Sequence, residues 1–112
     1  MSNERFEALA TEALASLPPE LSMHIENLAI MVEDEALGRS LFGLYEGMPL
    51  TRRGPMSYNG VLPDRITLYQ KTICAGCHNE DEVKVQIRKT VIHEVAHHFG
   101  ISDPRLEELG WA

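Results

Sequence analysis

A histidine pair in segment 90–103 constrains this chain more than any other feature of its sequence. The segment reads TVIHEVAHHFGISD and contains His93-Glu94-x-x-His97. Residues four apart lie on one face of an α-helix, so both histidines can bind one metal ion if the segment is helical. Glu94 lies about 100° around that helix, where it can reach a water molecule beside the metal without being a third ligand. The pattern therefore predicts a helix that carries a zinc site and a general base.

The residues after His97 indicate a third ligand. Gly100 and Asp103 follow at intervals of three, so the segment reads HExxHxxGxxD. This is the metzincin pattern with Asp in the place of the last histidine. Glycine readily adopts positive φ, which ends a helix and lets the following residues turn back towards the metal. We therefore expect His93, His97 and Asp103 to bind one Zn²⁺ per chain.

Asp103 can also act as a helix cap, and other carboxylates are alternatives for the third ligand. Asp103 or Ser102 can cap a short helix that has Pro104 in its first turn. Because a carboxylate has two oxygens, capping and metal binding are compatible. Some zinc peptidases take a glutamate from a downstream helix instead, and here Glu107 and Glu108 are the alternatives.

Three stretches of the chain carry a family resemblance. They are Ile66 to Tyr69, Arg88 to Gly100 and Leu106 to Gly110. Together they resemble the small bacterial zincin-like metallopeptidases, sometimes called minimal metzincins, over roughly residues 21 to 111. The resemblance implies an α+β zincin-like single domain with a small mixed sheet and an active-site helix near the C-terminus. The Asp at the third position also resembles snapalysin, a secreted peptidase with the same variant.

Composition and charge limit the number of domains, the location and the partners that we expect. A chain of 112 residues predicts one domain, with an N-terminal helix and break in 1–20 and a core in 21–112. The net charge of −7 argues against nucleic acid and anionic membranes as partners. We see no signal peptide and no apolar run of membrane-spanning length, so we expect a cytoplasmic location. The expected partner is a peptide or protein substrate, and the oligomeric state is open.

Hydrophobic patterns predict the order of the elements. The expected elements are a helix over Asn3–Leu17 ended by Pro18-Pro19, a buried strand over Asn27–Glu33, a short apolar run over Leu41–Tyr45, a loop over Glu46–Asn59, a strand over Arg65–Ile73, a loop over Cys74–Asp81 and a helix over Glu82–Phe99. The last helix has an apolar stripe formed by Val83, Ile87, Val91, Val95 and Phe99. The zincin resemblance also makes Ile66 to Gln70 a candidate for the rim on which an extended peptide lies, and an ordinary sheet strand is the alternative for this segment.

Several other residues are candidates for chemistry. Cys74-x-x-Cys77-His78 matches a haem-attachment motif, but haem attachment needs an exported chain. A second zinc site, a redox pair or a turn-forming surface loop are the alternatives for these residues. His98 is expected to point away from the metal face, towards Ile87 and Val91, and His24 to be solvated or structural. A tyrosine can stabilise an oxyanion, and the sequence does not select among Tyr45, Tyr58 and Tyr69.

These features favour a zinc-dependent metalloendopeptidase in which Glu94 is the catalytic base. The alternative is a zinc-binding interaction domain of zincin fold with little or no peptidase turnover. Metzincins have a methionine turn after the third ligand, whereas every methionine here precedes the motif. A wall of the substrate cleft would then come from upstream loops such as Glu46–Asn59, or the cleft would be shallow. An intact Glu94 favours the enzyme, because a purely structural zinc site does not need a base.

Overall fold

The structure is a computed structural model that describes residues 1–23, 28–38, 40–47 and 64–110. Within these residues the helices are α1 (Asn3–Ala15), α2 (Pro19–Ser22), α3 (Gln70–Ala75), α4 (Glu80–His98) and α5 (Asp103–Leu109). The strands are β1 (Leu28–Glu33), β2 (Gly43–Glu46) and β3 (Asp64–Tyr69). Helices around a small sheet form the α+β architecture that the sequence predicts. No helix among the described residues is long and apolar enough to cross a membrane.

The three strands form one mixed sheet in the order β1-β3-β2. The central strand β3 is parallel to β1 and antiparallel to β2, so that Ile66 lies opposite both Ile30 and Tyr45. Of the two alternatives for Ile66–Gln70, the open rim is therefore wrong, and the ordinary sheet strand is observed for Ile66–Tyr69. Both sides of β3 are paired, and Gln70 already belongs to α3. Strand β2 packs against α4 more extensively than β3 does.

Two strand predictions need further correction. The expected strand Arg65–Ile73 ends at Tyr69, because the next residues form α3, where Ile73 is fully buried in the core. Burial of Ile73 thus overrides the β-propensity of its neighbourhood. β1 forms where expected but is only partly buried, with Met31 46% exposed, since it lies at the edge of the described sheet.

Helix α4 begins two residues before the predicted start. The Asn79 side chain accepts a hydrogen bond from the Glu82 backbone N–H at 2.9 Å and donates one to the Glu82 carboxylate at 3.0 Å. This Asn-x-x-Glu capping arrangement is a signal that the sequence contains. Of the predicted apolar stripe, four residues are buried, but Phe99 is 45% exposed because the helix ends at His98.

Helix α1 packs on α4 and belongs to the same hydrophobic core. It forms over nearly the predicted range, and Phe6 is completely buried there. At its start, Arg5 donates two hydrogen bonds of 2.8 and 2.7 Å to Glu80 at the start of α4. These bonds hold the pKa of Glu80 below its usual value. Helix α1 ends at Ala15, two residues before its predicted end, and Pro18 is the N-cap of the short helix α2, which the pattern did not predict.

Two predicted features fall on residues that the structure does not describe. They are His24 and the loop Glu46–Asn59 beyond its first two residues. Glu46 itself is the last residue of β2, where its carboxylate pairs with Arg65 at 3.2 Å. The hydrophobic core is formed mainly by α1, α4 and β3. The face of α4 that carries His93 and His97 lies away from this core, at the surface.

Candidate functional site

Two histidines of α4 and the first residue of α5 meet at the protein surface. Nε2 of His97 lies 3.0 Å from Oδ1 of Asp103, and Nδ1 of His93 lies 3.3 Å from the same oxygen. The two imidazole rings are tilted by 53°, with centroids 4.0 Å apart. Within the described residues, this is the one group of His, Cys, Asp or Glu whose ligand atoms all lie within 4.8 Å of one another. The structure thus brings together the three residues that the sequence predicts as ligands.

The spacing of these atoms suits a zinc ion. Protein ligands bind Zn²⁺ through imidazole nitrogen or carboxylate oxygen at about 2.0–2.2 Å, so two ligands of a tetrahedral ion are about 3.3 Å apart. The observed separations of 3.0 and 3.3 Å are close to that value. The side chains of His93, His97 and Asp103 are 47%, 43% and 63% exposed. A site with these three donors is therefore open to a fourth ligand from solvent or substrate.

The turn between the helices determines where Asp103 lies. Gly100 has φ +80°, and the Ile101 N–H donates to the Ala96 carbonyl at 2.8 Å while the Gly100 N–H donates to the His97 carbonyl at 3.1 Å. This pair of bonds is a Schellman motif, which ends α4 and reverses the chain. The predicted role of Gly100 as the turning residue is confirmed.

The N-cap of α5 is Ser102, not Asp103. The Ser102 hydroxyl accepts the hydrogen bond from the Arg105 N–H, and Asp103 is the first residue of the helix. The alternative in which Asp103 is the cap is therefore wrong. The Asp103 carboxylate is available for contact with the histidines.

Glu94 lies beside the histidines and is oriented by strand β2. Its Oε1 accepts a hydrogen bond of 3.1 Å from the backbone N–H of Tyr45. The two residues are 49 positions apart, so the sequence pattern around Glu94 contained no signal for this contact. One carboxylate oxygen is thereby fixed, while the other remains for a second partner.

Tyr45 is itself held by contacts on both sides. Its hydroxyl donates a hydrogen bond of 2.8 Å to Oδ2 of Asp64, and its ring stacks on His98 with centroids 4.0 Å apart. The prediction that His98 points towards Ile87 and Val91 is wrong, because His98 is exposed and lies over Tyr45. These contacts stabilise the part of β2 that binds Glu94.

The other tyrosines considered for oxyanion stabilisation lie elsewhere. Tyr69 is only 6% exposed in the core, and Tyr58 lies outside the described residues. Of the two tyrosines that the structure describes, Tyr45 is the one whose backbone N–H donates to Glu94. Nothing in the structure directs its hydroxyl to a substrate carbonyl.

An open groove of about 390 Å³ adjoins the histidines. One wall is the face of α4 that ends at His93 and Glu94, and the other is segment 40–43 just before and at the start of β2. The full lining is Ser40, Leu41, Phe42, Gly43, Gln86, Lys89, Thr90, His93 and Glu94. An upstream wall is one of the two alternatives left open by the missing methionine turn. Segment 40–43 has no motif that would have predicted this role from the sequence.

The rival third ligands do not join the histidine group. Glu108 forms an ion pair of 2.9 Å with Arg105 on the outside of α5. Glu107 is exposed on the same helix and is not part of the described metal-binding group. The geometry therefore favours Asp103 among the three carboxylates.

The cysteine motif lies partly in the predicted loop, which is shortened to residues 76–79 and contains Cys77 and His78. Cys74 lies in α3, and both thiols are free and partly buried against the core. Burial raises the pKa of the Cys74 and Cys77 thiols, and the Glu82 carboxylate raises that of Cys77 further. Raised values disfavour the thiolate that metal binding and redox exchange require. Within the described residues, neither cysteine nor His78 belongs to a candidate metal group.

Comparisons with known proteins relate the chain to one family. A family profile described as "Zincin-like metallopeptidase" matches residues 24–111. A search of curated proteins finds no match. Among solved structures, the chain is similar to a conserved hypothetical protein from T. thermophilus, with TM-score 0.56 and 21% identity over 97% of each chain. That likeness shows a common fold.

Proposed function

The chain belongs to the zincin-like metallopeptidase family, and from this premise we propose that it is a zinc-dependent endopeptidase. The observation that carries the proposal is the convergence of His93, His97 and Asp103, with Glu94 next to His93 in the lining of the same groove. The family implies a metal, typically zinc. Two imidazoles and one carboxylate form a donor set suited to that ion, and they leave a position open for catalysis.

In this proposal, three residues of the chain bind the metal and a fourth transfers the proton. In this proposal His93, His97 and Asp103 hold the zinc ion, which supplies a Lewis acid that polarises the scissile carbonyl and lowers the pKa of water towards about 7. Glu94 accepts the proton of the attacking water and then donates it to the leaving amine. The new C–O bond and the broken C–N bond give one carboxylate and one amine.

The hydrogen bond from Tyr45 to Glu94 supports the role of a base. A catalytic carboxylate works best when its position is fixed before the substrate binds, because less reorganisation is then needed during the reaction. The Tyr45 N–H donates to Oε1 of Glu94, and in this proposal Oε2 is the oxygen that contacts the water. The groove beside Glu94 provides a place for substrate side chains.

Replacing Glu94 by Gln tests the proposal. The amide cannot accept the water proton, so we expect hydrolysis of unfolded casein or a quenched fluorescent peptide library to fall by about 10²–10⁴-fold. Zinc content, measured by metal analysis of the purified protein, should remain one per chain, because Glu94 is not a ligand in this proposal.

The matched control is Glu107→Gln, which makes the same charge change on the exposed surface of α5. It should leave turnover unchanged. Equal activity of Glu94→Gln and the parent would contradict the role of Glu94. A parent that binds stoichiometric zinc and cleaves none of the library would favour the alternative function, a zinc-binding interaction domain without turnover.

A further inference from the structure

The groove beside the proposed catalytic site combines an apolar side with one cationic residue. Leu41 and Phe42 form part of one wall, and the Phe42 side chain is 45% exposed. Across from them, the lining residues of α4 are polar. Lys89 is the only cation among the lining residues that the structure describes. The groove is thus suited to a side chain with an apolar stem and a polar end.

Lys89 has no partner of its own in the part of the chain that the structure describes. Four other described cations form ion pairs, namely Arg5 with Glu80, Arg65 with Glu46, Lys84 with Glu12 and Arg105 with Glu108. Lys71 and Arg88 also lack an ion pair among the described residues, and of these three cations Lys89 is the one that lines the groove beside His93. Its ammonium group can bind an anion without first breaking an ion pair with any residue that the structure describes.

The position of Lys89 relates it to the reaction centre. It precedes His93 by four residues on α4, and four residues of helix span about 6 Å. Long side chains of a helix lean towards its N-terminus, so we expect the ammonium group on the side of the groove away from His93. A side chain attached close to the scissile bond can therefore extend from the metal centre towards Lys89.

From these observations we infer that the groove is a subsite for an acidic substrate side chain, with glutamate as the preferred residue. The inference rests on the proposed peptidase function. The glutamate methylenes would contact Leu41 and Phe42, and its carboxylate would pair with Lys89. A lysine or arginine would be repelled by Lys89. A purely apolar side chain would leave the ammonium group and the Gln86 amide without a substrate partner in the groove.

The test compares peptides that differ at one position. Each has a fixed sequence and an amidated C-terminus, and carries Glu, Gln or Lys in turn at the three positions on each side of the cleavage site. The zinc-loaded parent should cleave the best Glu peptide with a kcat/KM about threefold to fivefold above its Gln counterpart, as for a partly exposed ion pair. The Lys counterpart should be the poorest of the three.

Lys89→Gln should remove the preference for Glu over Gln, and Lys89→Glu should reverse the order to favour Lys. The matched control is Arg88→Gln, which changes the same charge at the adjacent position outside the groove lining. It should keep the parent's preference. A preference for Glu that survives in Lys89→Gln, or that is lost equally in Arg88→Gln, would overturn the inference.

A binding measurement separates this inference from the proposed function. Zinc-loaded Glu94→Gln and its double variant with Lys89→Gln would be titrated with the same fluorescent peptides, without need of turnover. The subsite is supported if Glu94→Gln binds Glu peptides more tightly than Gln peptides and the double variant does not. This holds even if the parent cleaves nothing. Equal binding of Glu and Gln peptides overturns it, as does a preference that appears only when the peptide C-terminus is a free carboxylate.

Discussion

At the scale of single residues, a substitution of Asp103 can distinguish metal binding from helix capping. Its Oδ1 contacts both histidines, whereas the neighbouring Ser102 caps α5. Asp103→Asn therefore keeps the cap and nearly the same shape, but replaces a carboxylate with an amide that is a poorer zinc ligand. We expect zinc affinity to fall by about tenfold or more, as measured by competition with a chelator.

The melting temperature of the metal-free protein provides the control for this change. It should change little in Asp103→Asn, because the cap and the packing are intact. Glu108→Gln is the matched carboxylate variant, and it should retain the parent's zinc affinity. An unchanged affinity in Asp103→Asn would exclude Asp103 as a ligand and return attention to Glu107.

At the scale of elements, the close approach of β2 to α4 depends on Gly43. A Cβ at this position would lie 2.7 Å from Cγ2 of Thr90 and 3.2 Å from the Thr67 carbonyl oxygen. Thr90 cannot easily rotate away, because it is buried and its hydroxyl donates to the Gln86 carbonyl at 2.8 Å. A larger residue at position 43 must therefore move the strand away from the helix.

We predict that Gly43→Ala lowers the free energy of unfolding by about 1–3 kcal/mol, as measured by urea denaturation. The displaced strand should also move the Tyr45 N–H away from Glu94, so kcat should fall more than zinc affinity. Gly76→Ala is the control, since nothing lies within 4 Å of the place that a Cβ would take there. Adding Thr90→Ser, which removes the clashing methyl, should restore part of the stability. No such recovery would contradict the steric explanation.

At the scale of the whole molecule, α1 completes the core that holds the active-site helix. It lies before the segment 24–111 that matches the family profile, yet Phe6 is completely buried in the same core as α4. We predict that Phe6→Ala costs about 3–5 kcal/mol of stability. The melting temperature should then fall by more than about 10 °C, measured by circular dichroism of the zinc-free protein.

The control for α1 is the neighbouring exposed residue. Glu7→Ala removes a solvated side chain from the same helix and should change the melting temperature by only a few degrees. Equal effects of the two substitutions would mean that α1 is an appendage. The family segment would then be stable without it.

The sequence by itself determined the features that depend on residues close together in the chain. Helical spacing places His93 and His97 on one face, and a glycine three residues later allows the turn to Asp103. These are local relations, governed by helix geometry and backbone sterics.

The tertiary structure decided what depends on residues far apart. β3 is the central strand of the described sheet and not a rim, and His98 stacks on Tyr45 instead of packing in the core. The Tyr45 N–H donates a hydrogen bond to Glu94, and segment 40–43 forms one wall of the groove. Strand pairing and helix docking follow from the total burial of the core, and one sequence contains no local pattern that specifies which distant backbone groups will meet.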